Sequence, residues 1–249
     1  MYAEEDDFAT ELAERAGHGL LELRARTGGG KEAGAEGDRS SHRLIVDAIR
    51  RRFPEDRVRS EESTQAEPIE DDRGRVWVVD PLDGTREFGE GRTDWAVHVA
   101  LSVNAVPVVG AVALPGLDLV LSTGSPPSPS PTEQPPRVVV SRTRPPEFVP
   151  ALVGKLGAVE VPMGSAGAKI AAVIRGEAEI YVHAGGQYEW DSAAPVAVAL
   201  AAGLHASRVD GSPLRYAQPD PWLPDLVVCH PDLAQATLAT LRELGVGSG

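Results

Sequence analysis

Phe8, Leu12, Ala16, Leu20 and Leu23 recur at helical spacing until Gly28-Gly29-Gly30, predicting an amphipathic first helix with one buried face. A second helix is predicted from about Ser40 to Phe53, burying Leu44, Ile45, Ala48 and Ile49 and stopping before Pro54. The period then shortens. Arg57 to Ser60, Val76 to Val79, Trp95 to Leu101, Val106 to Leu114 and Leu117 to Ser122 read as strands, with Asn104-Ala105 as a turn. Further on, strand Arg137 to Ser141, helix Pro146 to Leu156, helix Ala166 to Arg175, strand Ala178 to His183 and helix Asp191 to Ala202 alternate, followed by strand Leu226 to Cys229 and a closing helix Asp232 to Leu244. Such alternation predicts a mixed α/β (α+β) fold without internal repeats.

Between the two series lies Ser125 to Pro136, a proline-rich stretch that suits neither a sheet interior nor a helix. It is read as an exposed loop or linker, with an N-terminal domain over 1–124 and a C-terminal domain over 137–249. A chain of 249 residues supports one large or two modest domains. Cys229 is the single cysteine, which excludes an internal disulfide and a cysteine zinc site. The six histidines lack metal-ligand spacing, and His98 is read as structural. The net charge of −13 argues against a nucleic-acid partner. The acidic start Met1 to Asp7 has no apolar run, and no stretch is long enough to span a membrane, so a cytoplasmic location is expected.

The chemistry concentrates where the strand Arg75 to Val79 runs into Asp80-Pro81-Leu82-Asp83-Gly84-Thr85. Pro81 restricts the backbone, so the chain is expected to leave the strand rigidly and turn before Asp83, with both carboxylates facing one pocket. Mg²⁺ prefers oxygen ligands, and two such ions about 3.5–4 Å apart can clamp the attacking and leaving oxygens of a phosphoryl group. Leu82 can pack inward while its carbonyl faces a metal, Gly84 allows close backbone approach to a phosphate, and a helical turn at Thr85 would aim free N–H groups at it. Taken alone, Asp80 and Asp83 read as caps of a turn or helix. Three further acidic positions bear on that choice. Glu61 follows a strand expected beside the one ending at Asp80, while Asp38 and Asp191 each open an expected helix and read as N-caps or functional groups.

Together, Gly37-Asp38, Ser60-Glu61-Glu62, the Asp80 to Thr85 motif and Trp190-Asp191-Ser192-Ala193-Ala194 resemble the lithium-sensitive, Mg²⁺-dependent phosphatase superfamily that includes the inositol monophosphatases. Thr85 to Phe88, Val140 to Thr143, Gly164 to Lys169 and His183 to Asp191 look closest to its 3′(2′),5′-bisphosphate nucleotidase, or CysQ, branch. The resemblance implies a layered αβαβα sandwich. It implies Glu61, Asp80, the Leu82 carbonyl, Asp83 and Asp191 as ligands to two or three Mg²⁺ ions, and Thr85 with Asp38 as the pair that orients and deprotonates water. Leu82, Asp83, Gly84, Thr85, Arg142, Ser165, Lys169 and Asp191 would contact substrate. Lithium sensitivity follows from the resemblance alone.

The expected reaction is hydrolysis of 3′-phosphoadenosine 5′-phosphate to AMP and phosphate, and of 3′-phosphoadenylyl sulfate, in sulfur assimilation, by a monomer or homodimer. Where inositol-cleaving relatives carry an acidic group for the ring hydroxyls, this chain has Ala184, Gly185 and Gly186. Lys169 and Arg142 are the preferred cations for a second phosphate, with Arg144 read as a surface residue. The alternatives are an inositol or fructose-1,6-bisphosphate phosphatase, and a non-catalytic nucleotide-binding protein. The presence of all five motif acids argues against the last.

Overall fold

The computed structural model of the protein describes residues 1–63, 69 and 73–247. Among these, ten strands form two five-stranded sheets. The first orders β1 (Arg57–Ser60), β2 (Arg75–Asp83), β3 (Ala96–Val103), β4 (Val106–Leu114) and β5 (Leu119–Ser122) side by side, antiparallel except for the β1–β2 pair. The second runs β7 (Val159–Met163), β6 (Arg137–Ser141), β8 (Ile180–Tyr188), β10 (Trp222–Cys229), β9 (His205–Ser207). Helices α1 (Ala3–Thr27) and α2 (Lys31–Arg52) pack on the first sheet, α5 (Ala166–Ile174) and α6 (Ala193–Ala201) between the sheets, and α4 (Val149–Leu156) and α7 (Pro231–Glu243) on the second. Short α3 (Thr85–Gly89) lies against α2. This is the αβαβα sandwich.

Strand parity builds the layers. In β2, Trp77 and Val79 join the core under α1 and α2, whereas Val76 and Val78 join the middle core with Ala171 and Val196. In β8, Tyr181 enters the middle core, and Ile180 and Val182 pack with Leu152 and Leu241 on the outer side. Strands buried on both faces read as continuous apolar runs, which is why Val76 to Val79 and Val138 to Val140 were visible in the sequence. Core residues from both sides of the proline-rich segment meet in the middle layer, and the segment itself forms neither helix nor strand. No helix among the described residues is long and apolar enough to cross a membrane.

Several boundaries differ from expectation. Helix α2 starts at Lys31, so Asp38 lies inside it and caps nothing. Cβ atoms on Gly34 and Gly37 would stand 2.8 Å from Thr85 Cγ2 and from Leu20 Cδ2, so the helix uses glycine for close packing. The chain also stays extended through Asp83 instead of turning before it. The register shifts between Asp80 and Asp83, a position at which a sheet accommodates Pro81, and the turn comes at Gly84, with φ of 91°. Strands β7 and β9 were not foreseen; both are short edge strands with little apolar patterning.

Candidate active site

The end of β2 delivers the motif into a crowded, buried setting. Asp80 is 1% exposed, and its Oδ1 accepts the Leu82 N–H at 3.0 Å. Burial, then the charges of Glu61, Asp83, Asp191 and Asp38, hold its carboxyl well above the ordinary range. The Leu82 side chain is buried and its carbonyl accepts the Thr85 hydroxyl at 3.2 Å. Asp83 accepts the backbone N–H groups of Gly167 at 2.5 Å and Ala166 at 3.3 Å, at the start of α5. It is therefore a buried link between the two halves of the chain as well as a motif acid.

Asp191 comes from the 3₁₀ turn Glu189–Asp191, where its Oδ2 accepts the Tyr188 N–H at 2.6 Å. One carboxylate oxygen each from Asp80, Asp83 and Asp191 lies within 4.8 Å of the others. Burial followed by the charge of Asp83 raises the Asp191 carboxyl to about 7. Glu61 follows β1, its N–H bonded to the Val79 carbonyl, and its carboxyl is also raised to about 7, by desolvation and then by Asp38, against a hydrogen bond with Asp80.

Beneath these acids lies a buried ion pair. Arg59, on β1 two residues before Glu61, bonds Glu189 at 2.5 Å, and the two side chains are 6% and 2% exposed. It ties the segment carrying Glu61 to the turn carrying Asp191. His98, fully buried, donates Nδ1–H to the Trp190 carbonyl at 3.1 Å and sets Nε2 3.4 Å from Asp83 Oδ2. Burial lowers its pKa against the charge of Asp83; the ring is fastened to the segment carrying Asp191, while Nε2 faces Asp83 without a hydrogen-bond partner.

Asp38 supplies the fifth acid. It is 7% exposed, its Oδ1 is buried without a hydrogen-bond partner, and desolvation, then the charge of Glu62, raises its pKa to about 7. Thr85 packs against Gly34, one turn earlier on the same helix. Its hydroxyl is spent on the Leu82 carbonyl. Ser41, three residues after Asp38, donates to the Pro81 carbonyl at 2.8 Å and fastens α2 to the motif.

This donor set fits a hard divalent cation. The converging groups are carboxylate oxygens, three of them in mutual reach; burial first and neighbouring negative charge second raise the proton affinities of Asp80, Asp191 and Glu61, and a cation would relieve that repulsion.

A cleft of about 570 Å³ opens above Asp83 and Asp191. Gly84, Thr85, Ser165 and Lys169 line it, and so does Arg144, but Arg142 does not. Arg142 bonds Glu87 at 2.7 Å and Glu90 at 2.6 Å. The exposed Arg144 guanidinium has no ion-pair partner among the described residues and is close enough to depress the pKa of His183, secondary to burial. Lys169 is buried; its ammonium folds back on the carbonyls of Gly164 and, at 2.7 Å, Ser165, and burial lowers its pKa to about 8 against the charge of Asp83. Ser165 caps α5, its Oγ accepting the Ala168 N–H at 3.1 Å.

The structure thus brings Asp80, Asp83 and Asp191 together, with Glu61 and Asp38 within electrostatic reach. Sequence reasoning missed the Arg59–Glu189 pair, the contact of His98 with Asp83, and the cleft position of Arg144. The pairing of β2 with β3, which sets Asp80 opposite His98, was the signal available for His98.

The inositol monophosphatase family model matches residues 2–245. A Mycobacterium leprae protein named 3′-phosphoadenosine 5′-phosphate phosphatase is 46% identical, the match covering 95% of this chain and 93% of the relative. Among solved structures, CysQ of Bacteroides thetaiotaomicron, described as a bacterial member of the inositol monophosphatase family, superposes with a TM-score of 0.77 at 26% identity, covering 92% of this chain and 98% of its own. An inositol monophosphatase from Anabaena shares the fold with a TM-score of 0.79 at 24% identity, covering 96% of each chain. A fold that brings the carboxylates of Asp80, Asp83 and Asp191 within reach of one another, and a family match along nearly the whole length, lead to one assignment: the chain belongs to the inositol monophosphatase family.

Proposed function

We propose that this protein is a Mg²⁺-dependent phosphomonoesterase that hydrolyses 3′-phosphoadenosine 5′-phosphate to AMP and phosphate, acts also on 3′-phosphoadenylyl sulfate, and serves sulfur assimilation. The observation that carries the chemistry is the meeting of Asp80, Asp83 and Asp191 from distant parts of the chain, with Asp83 and Asp191 lining one cleft. The substrate reading is supported by the 46% identical relative named 3′-phosphoadenosine 5′-phosphate phosphatase.

Asp80, Asp83, Asp191, Glu61 and the Leu82 carbonyl would hold the metal. Bound there, Mg²⁺ supplies charge neutralisation for the phosphoryl oxygens and acidifies water. Asp38 is the base: a carboxylate held near pH 7 with a free buried oxygen is suited to accepting the proton of the attacking water near neutrality. Thr85 orients that water by exchanging its bond to the Leu82 carbonyl for one to the incoming oxygen. The P–O ester bond breaks as the new one forms, the 3′-oxygen leaves and takes a proton from solvent water, Asp38 returns its proton to solvent, and no covalent phosphoenzyme is needed.

The test is phosphate release by the purified protein from 3′-phosphoadenosine 5′-phosphate, inositol 1-phosphate and fructose 1,6-bisphosphate, each with and without Mg²⁺. The expected result is metal-dependent turnover with a clear preference for the nucleotide. Preference for inositol 1-phosphate would reverse the substrate assignment.

A further inference from the structure

Among the described residues, the large apolar side chains left exposed include two aromatics, Tyr188 at 45% and Trp222 at 47%, and both line the cleft above Asp83 and Asp191. They face each other across the antiparallel pair of β8 and β10, with ring centroids 5.6 Å apart at 82°. Trp190 stacks behind Tyr188 at 4.6 Å and 10°. The Trp222 indole lies on the backbone of Gly186: a Cβ there would stand 1.6 Å from Cζ2 and 2.1 Å from Cη2, and φ is 92°. Any side chain at 186 would displace the ring. Both aromatics are thus fixed from behind and open toward the cleft.

Polar groups on this wall are already engaged. His183 Nε2 bonds the Gly186 carbonyl at 2.8 Å, and the Gln187 amide donates to Ser192 at 3.0 Å. Ala184, Gly185 and Gly186 add no polar side-chain atom. A ring bearing several hydroxyls would meet few side-chain partners here, whereas a flat heteroaromatic ring would meet rigid π surface at small entropic cost.

We infer that Tyr188 and Trp222 form a shelf that takes the purine base of the substrate and selects nucleotides over polyol phosphates. This rests on the nucleotide reading above and adds the residues that enforce it. The cation wall at Arg144 and the acidic floor then address phosphates, and the shelf addresses the base.

The experiment measures kcat/KM of wild type, Trp222→Ala and Trp222→Phe on 3′-phosphoadenosine 5′-phosphate and on glycerol 2-phosphate, which has no base. It also titrates each protein with AMP by tryptophan fluorescence. Trp222→Ala should lower kcat/KM for the nucleotide roughly 10- to 100-fold, mainly through KM, and by at least tenfold more than for glycerol 2-phosphate. Trp222→Phe should recover most of the loss. AMP should quench wild-type fluorescence, and Tyr188→Ala, which keeps both tryptophans, should weaken AMP binding about tenfold. Equal losses on both substrates, or unchanged AMP binding in Tyr188→Ala, would overturn the shelf. Absence of nucleotide turnover in wild type would instead defeat the proposed function, and the AMP titration would still decide the shelf.

Discussion

The cleft has two unlike walls. On one side, Asp83 lines the cleft with buried Asp80 and Leu82 of the same continuous motif behind it; the Gly167 N–H fixes Asp83 and the Leu82 N–H fixes Asp80. On the other, Tyr188 and Trp222 lie 34 positions apart in the chain, are half exposed, and meet through strand pairing. The acidic wall suits chemistry common to phosphate esters, since its oxygens address the phosphoryl group and little else. The aromatic wall suits selection among those esters. Reaction type and substrate choice are thus carried by separate parts of the fold, and substitutions on each should fail differently.

The largest effect belongs to the acidic wall. Asp83→Ala should cut turnover of every phosphate ester by roughly 10³-fold or more, since it removes a carboxylate from the metal-binding group. It should also cost about 1–2 kcal/mol of stability, because Gly167 and Ala166 lose their N-terminal acceptor. Steady-state kinetics and chemical denaturation check the two parts, and loss confined to the nucleotide would dissolve the division between walls. Asp38→Asn should lower kcat by about 10²–10⁴-fold, again for all esters, without lowering melting temperature, because it replaces a buried, unpartnered acid with a neutral isostere.

Beneath both walls, Arg59→Met should destabilise the protein by about 3–5 kcal/mol by stranding Glu189, seen as a shifted denaturation midpoint. On the selective side, Arg144→Ala should raise KM for the bisphosphate nucleotide about three- to tenfold and leave a monophosphate ester less affected, given its exposure to salt. Arg142→Ala should change KM less, since Arg142 points to Glu87 and Glu90. The reverse order would return the second phosphate to Arg142.

The smallest effect is a slope. Asp38, Glu61 and Asp191 have folded-state values raised to about 7, against about 4 when unfolded. The folded chain therefore retains protons that the unfolded chain releases. That stability is fully present below pH 4 and is lost as pH rises to about 7. Metal-free protein should melt lower at pH 8 than at pH 5.5, and Mg²⁺ should raise the melting temperature more at pH 8. Scanning fluorimetry at both values, with and without Mg²⁺, reads this directly.

What was legible in the sequence followed the range of each signal. The apolar strands and the Asp80 to Thr85 motif are local and were found. Asp38 was read at a helix start, whereas the helix begins at Lys31 and uses Gly34 and Gly37 for tight packing against Thr85 and Leu20. Arg142 and Arg144 both lie beyond the end of β6, so strand alternation could not separate the residue bound to Glu87 from the one lining the cleft. Lys169 looked like a free cation, but its spacing from Gly164 and Ser165 lets the side chain fold back on their carbonyls. The aromatic wall depends on the register of β8 with β10, which no local pattern specifies.

The most direct test of the account is to grow crystals with Mn²⁺ in place of Mg²⁺ and locate the metal by anomalous scattering. The expected result is density among Asp80, Asp83 and Asp191, lost in Asp83→Ala. A cleft without metal in that map, or a peak at another site only, would contradict it.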